Sequence, residues 1–331
     1  MLARRLLLLS LVLFTACSRS EPSAAPAASG SPAAFKVALL SPGPISDAGW
    51  NALAYEGLLA IRDQLGAEIA QVEVKNPGQF EDAFRDFARR GFTLVFGHGF
   101  EFQDAAAAVA PDFPNTVFIT TSGNTVRPNV APLRFMLEEA TYLEGMLAAG
   151  MSKSGKSGAV GGMAIPSVKS TIMAYEAGTK VANPNFQVLV SYVGNWDDVG
   201  AAKEAALAQV QQGADFLFHN ADAAGLGVFQ AAQQSKVFAF GANKNQNDVA
   251  PDVVLASAVI DIPKGFLTVA RQVKDHTFVA KIETLTMRDG VISFVYNPAL
   301  VSRIPADVKA KVDAAQQAIL AGTLQVPALE F

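Results

Sequence analysis

The sequence has little cysteine, histidine or charge. One cysteine in 331 residues excludes a disulfide framework and a thiolate metal cage. Three histidines leave no histidine-rich metal site. Charged residues make up 17% of the chain, 26 basic against 30 acidic. Such a chain has no basic field of the kind that nucleic acids require, so no nucleic-acid partner is expected. No GxSxG, HExxH or CxxC motif occurs, and no paired acids stand out as general acid and base. No cofactor, no metal and no enzymatic activity are expected. Apolar residues are abundant instead. They make up 50% of the chain, which excludes a disordered protein. The length suits about two domains.

The N-terminus points to a compartment. Arg4 and Arg5 precede a nine-residue apolar run, Leu6 to Phe14, too short to span a bilayer as a helix. Phe14-Thr15-Ala16-Cys17 follows, and small residues before a cysteine resemble a lipoprotein cleavage box. Residues 1–16 are therefore expected to be a signal peptide and Cys17 the lipidation site. Residues 17–34 are rich in Ser, Ala, Pro and Gly, a composition that cannot offset its ordering entropy. They read as a tether between the anchor and a soluble body in the cell envelope, in the periplasm or outside the cell.

From Phe35 onward, short β-branched or Phe-rich runs alternate with amphipathic ones. Strands are predicted at Lys36–Ser41, Glu68–Val74, Leu94–Gly97 and Thr116–Thr121, with helices at Trp50–Leu65, Gln79–Arg90 and Gln103–Ala110. A second set of strands is predicted at Gly158–Gly162, Phe186–Val193, Phe216–Asn220 and Val237–Ala242. Pairing Val37 with Gly158, Ile69 with Val188, Leu94 with Phe216 and Thr116 with Val237 gives offsets of 119 to 122 residues. A near-constant offset implies one doubly wound α/β unit used twice. The remainder, with helices at Lys264–Val273 and Ala306–Ala321, is too short for a third unit and is expected to complete both sheets. The lobes expected are residues 35–137 with about 257–290, and 138–256 with about 291–331.

Gly150 to Ser157 satisfies GxxxxGKS. A phosphate loop needs a strand before it and a helix after it. Here a helix-like run precedes and a strand-like run follows, so the segment reads as a turn. Ligands of open α/β sheets bind beyond the carboxyl ends of the strands. Those loops carry Asp47, Trp50, Asn51 and Tyr55, then Phe100 and Phe102, then Trp196 and Asp197. Flat aromatics with acids and amides suit a flat ring bearing donors and acceptors. Asp47 also stands where it could cap the following helix. Its replacement by Ala, like that of Tyr55, is expected to weaken binding and leave the empty fold's stability almost unchanged.

Several of these segments resemble one family. Pro44-Ile45-Ser46-Asp47-Ala48-Gly49-Trp50-Asn51 with Tyr55-Glu56-Gly57 is similar to the opening signature of the basic membrane protein family of ABC-transporter substrate-binding lipoproteins. Gly97-His98-Gly99-Phe100, Tyr142-Leu143-Glu144-Gly145, Ser152 to Lys156, Gly161-Gly162-Met163, Glu176-Ala177-Gly178, Val193 to Asp198 and Gly213-Ala214-Asp215 follow in the same order. The resemblance implies a type I periplasmic-binding fold: two doubly wound, Rossmann-like domains with interdomain crossovers and a ligand cleft between them. It implies a monomer that delivers a small molecule, a purine nucleoside or nucleobase, to a membrane permease and its ATPase. It places a base-stacking ring at Tyr55 and a base-binding acid at Asp47. It adds contacts at Thr121, Ser122, Gly225 and Asn243, beside Asp222 in the strand-end loop of the second unit. Thr121, Ser122 and Asn243 stand where nucleoside-binding members often carry acids, which leaves a free base or another small ring open beside a nucleoside. A sensor or adhesion lipoprotein of the same fold is the alternative.

Overall fold

The computed structural model describes residues 34–47 and 49–330. The expected signal peptide, tether and lipidated Cys17 lie outside the described residues, Ala34 apart. The chain runs β1 (Lys36–Ser41), α1 (Trp50–Leu65), β2 (Glu68–Glu73), α2 (Phe80–Arg89), β3 (Leu94–Gly97), α3 (Gln103–Val109), β4 (Val117–Thr121) and β5 (Val130–Phe135). It continues with α4 (Glu138–Met151), β6 (Lys156–Gly161), α5 (Pro166–Ala182), β7 (Gln187–Tyr192), α6 (Val199–Gln211), β8 (Phe216–Asn220), α7 (Gly225–Ser235) and β9 (Phe238–Asn243). The last elements are β10 (Val254–Ile260), α8 (Ile262–Lys274), β11 (Glu283–Leu285), β12 (Ile292–Tyr296) and α9 (Ala306–Ala321).

The strands form two six-stranded sheets, ordered β11-β5-β4-β3-β1-β2 and β12-β10-β9-β8-β6-β7. The second order repeats the first, which is the duplicated α/β unit that the constant offset predicted. All pairings in the first sheet are parallel. In the second, β12 runs antiparallel to β10. The chain passes between the sheets three times, after β5, β10 and β11.

Local chemistry explains the elements near the cleft. In α2, Phe80, Phe84 and Phe87 are buried on one face, with acids in the first turn and Arg89 in the last. That polarity suits the helix dipole. Phe84 meets Phe102 and Phe118 edge-on at 6.1 and 5.6 Å. Phe266 of α8 stacks on Phe96 of β3 at 4.0 Å, so α8 returns to cover the first sheet. Asp198 and Asp261 cap α6 and α8 through the amides of Ala201 and Lys264.

Helices α4 and α5 cross with their backbones in contact. A Cβ on Gly145 would lie 2.9 Å from the Tyr175 carbonyl carbon, and one on Gly178 2.9 Å from that of Tyr142. Only glycine fits at either position, which gives a packing reason for two of the family-like motifs. The false phosphate loop is a turn from α4 into β6. Its amides are already used: the Asp215 carboxylate accepts from the amides of Lys153 and Ser154 and from the Ser152 hydroxyl. Among the described residues no helix is long and apolar enough to cross a membrane.

Candidate functional site

The carboxyl ends of both sheets face one cleft. An inner cavity of about 670 Å3 is walled on one side by Trp50, Phe100, Glu101, Ser122, Arg134 and Glu138. The other wall carries Ser167, Thr171, Trp196, Asn220, Asp222 and Asn243. An outer cavity of about 900 Å3 shares Glu101, Trp196 and Asp222 with it and adds Asp47, Asn51, Lys75 and Asp197. Both volumes include space open to solvent.

Trp50 stands at the first turn of α1 and its ring lies on His98 at 4.1 Å and 23°. The imidazole is held from both sides. Its Nε2–H donates to the Trp50 carbonyl at 3.0 Å, and its Nδ1 accepts from the Thr121 hydroxyl at 3.3 Å. The Trp50 carbonyl can only accept, which fixes the neutral Nε2–H tautomer. Burial lowers the His98 pKa to about 3, although the bond to Trp50 raises it. His98 is thus an uncharged support for the Trp50 ring.

Asp47 is buried, and its carboxylate accepts from the amides of Gly49, Asn51 and Ala52 and from Asn51 Nδ2 at 2.8 to 3.0 Å. These bonds bind the start of α1 to the loop before it. Asp47 therefore supports the empty fold, contrary to the expectation that its loss would leave stability unchanged. Asn51 must turn its amide nitrogen to Asp47, and its Oδ1 is left buried without a partner.

The second wall is built on strained backbone. Asp222 and Asn243 have φ of +47° and +68°, and Ser122 on the opposite wall has φ of +63°. Left-handed backbone is costly outside glycine and clusters at functional loops. Asn243 Nδ2 reaches Asp222 Oδ1 at 3.3 Å and Asn220 Oδ1 at 3.4 Å. Burial raises the Asp222 carboxyl well above the usual aspartate range, and the charges of Asp47 and Glu101 raise it further. Burial also raises Glu101 and Glu138.

Of the residues singled out in the sequence, Trp50, Phe100, Ser122, Trp196, Asp222 and Asn243 line the inner cavity. Asp47 and Asn51 line the outer one. Thr121 is buried behind the wall on His98. Tyr55 packs on the core, Gly225 is buried at the start of α7, and neither lines these two cavities. Phe100 and Phe102 part company because they lie in a 3-10 turn, which sends Phe102 into the core. Sequence reasoning missed His98 as a support, and Glu101, Arg134 and Glu138 as lining. Glu101 had a usable signal: it is an acid between two aromatics at a strand end.

Two ion pairs cross the cleft mouth, Lys75 to Asp197 at 3.4 Å and Lys244 to Glu56 at 2.8 Å. His219 bonds Gln246 at 3.0 Å. Among the described residues no group of three or more His, Cys, Asp or Glu could hold a metal ion.

Known proteins share this architecture. A solute-binding protein of an ABC transporter system from Conexibacter woesei is 29% identical, with a TM-score of 0.69 over 89% of this chain and 99% of that one. One from Aeropyrum pernix shares the fold at 20% identity, with a TM-score of 0.80 over 90% and 94% of the two chains. A purine-binding protein of Brucella abortus is 28% identical over 88% of this chain and 82% of its own. Basic membrane protein A of Borreliella afzelii is 27% identical over 88% and 91%. The model of the Bmp family, described as ABC transporter substrate-binding protein PnrA-like, matches residues 34–330. With all of its described residues inside that match, the chain belongs to the Bmp family of ABC-transporter substrate-binding proteins.

Proposed function

We propose that this protein captures a purine nucleobase or nucleoside in the cleft between its two sheets and hands it to an ABC permease and its ATPase. The observation that carries the reading is the inner cavity. Trp50 and Phe100 on one wall and Trp196 on the other offer apolar faces, beside Asn220, Asp222 and Asn243. Aromatic faces with a few placed acceptors and donors suit a purine. The name of the Brucella relative supports the ligand class.

The lobes are residues 35–137 with about 257–290, and 138–256 with about 291–331. They close on ligand because only the closed form makes both sets of contacts. The rim pairs Lys75–Asp197 and Lys244–Glu56 break on opening; each is exposed and adds little. The body works as a monomer on a lipid anchor at Cys17. It acts by binding and release, without catalysis.

Isothermal titration of the full chain with hypoxanthine, adenine, guanine, inosine, adenosine and guanosine tests the ligand. Saturable binding of one or more supports the reading, and base against nucleoside shows whether ribose is held. No heat with any of them refutes it. Failure of Cys17→Ser to release the protein from membranes would refute the anchor.

A further inference from the structure

The polar groups of the cleft are unbalanced in charge. Five acids line the two cavities: Asp47, Glu101, Glu138, Asp197 and Asp222. Two cations line them, Lys75 and Arg134. Both cations are engaged. Lys75 lies 3.4 Å from both Glu73 and Asp197 at the rim, and an Arg134 amine donates to the Leu329 carbonyl at 3.1 Å. Asp47 is satisfied by its four N–H donors. Asp222 and Glu101 face the shared part of the cleft from opposite walls. Among the described residues, the neutral amide of Asn243 donates to Asp222.

A second observation points the same way. Asn51 lines the outer cavity, and its buried Oδ1 is an acceptor without a donor. This end of the cleft thus presents acceptors and carboxyl groups, while Trp50 and Trp196 line the cleft beside it. Ionising both carboxyls here without a counter-ion is costly, and a neutral ligand supplies none. A cation stacked on indole gains from the ring quadrupole as well.

We infer that the cleft selects a flat nitrogen heterocycle carrying a positive charge, with Asp222 and Glu101 as counter-ions and Trp50 and Trp196 as the faces it rests on. The inference deepens the proposed function and rests on its placement of the ligand between the sheets. In the empty cleft burial, and after it the charges of Asp47 and Glu101, favours a proton on Asp222, and the ligand's charge takes that proton's place.

The test is titration calorimetry of the full chain with two pairs that differ in charge. One pair is 1-methyladenosine, a cation at neutral pH, against its neutral isomer N6-methyladenosine. The other is the 1-methylnicotinamide cation against neutral nicotinamide. The cation of at least one pair should bind tenfold or more tighter than its neutral partner. In Asp222→Asn that preference should fall at least fivefold, chiefly through weaker binding of the cation. Asparagine tolerates the left-handed backbone at this position, so the variant should fold with a melting temperature no lower than that of the parent. Equal or tighter binding of the neutral partner in both pairs overturns the inference, as does a preference that survives in Asp222→Asn, or no binding of any of the four. Binding of neutral purines without a preference for charge overturns the inference and leaves the purine reading standing. Binding of 1-methylnicotinamide with no purine bound has the opposite effect.

Discussion

Protonation of His98 should unlatch the Trp50 wall, and the cost can be worked from the site. The imidazole is buried, and burial lowers its pKa from 6.5 to about 3. The unfolded chain protonates it below about pH 6.5, while the folded chain resists until about pH 3. The unfolded state then binds more protons, so this contribution is present above pH 6.5 and is lost as pH falls. The slope approaches about 1.4 kcal/mol per pH unit once the unfolded imidazole is charged, so the descent from about pH 6.5, where it is half charged, to about pH 4.5 removes ~2 kcal/mol. Glu101, Glu138 and Asp222, whose folded values are raised, slope the opposite way and flatten the total. Urea denaturation of the parent and of His98→Gln separates the two effects. The difference in unfolding free energy between parent and variant should shrink by ~2 kcal/mol from about pH 6.5 to about pH 4.5. If the two proteins run parallel across that range, His98 is not buried neutral and the account of the Trp50 wall fails.

Other consequences follow from the packing. Gly178→Ala drives a methyl into the Tyr142 carbonyl on α4 and should cost about 1–3 kcal/mol, seen as a lower melting temperature. Because the residues around the start of α5 line the cavity, the variant should also bind ligand more weakly. Asp47→Ala removes the acceptor for four N–H donors at the start of α1. It should destabilise the empty protein by about 1–2 kcal/mol in thermal or urea unfolding; an unchanged midpoint would return Asp47 to a role in binding alone.

The sequence carried the duplicated fold because its signals are local. The apolar spacing of Trp50–Leu65 and the short apolar run within Lys36–Ser41 match α1 and β1 residue for residue. β5 was not legible, since Pro132 removes a ladder donor and argues against a strand. The fold tolerates it because β11 is short and pairs only with Leu133–Phe135. Losing β5 also hid Arg134, which lies on it, and Glu138, which starts the next helix. The aromatics of the cleft were legible as strand-end residues, but their directions were not. Trp50 and Tyr55 share one helix, yet Trp50 faces the cavity and Tyr55 packs on the core. That choice is made by His98, a partner on another strand. The acids were hidden for a similar reason, because Asp222 meets Glu101 only when the second sheet faces the first.

The most direct test of the account uses the two tryptophans of the chain, both of which line the inner cavity. Trp50→Phe and Trp196→Phe each leave one emitter, on opposite walls of the cleft. Titrated with the purine that binds in calorimetry, both single-tryptophan proteins should change emission with the same saturation midpoint as the heat. Saturable binding that leaves both emissions unchanged would place the ligand elsewhere and contradict the account.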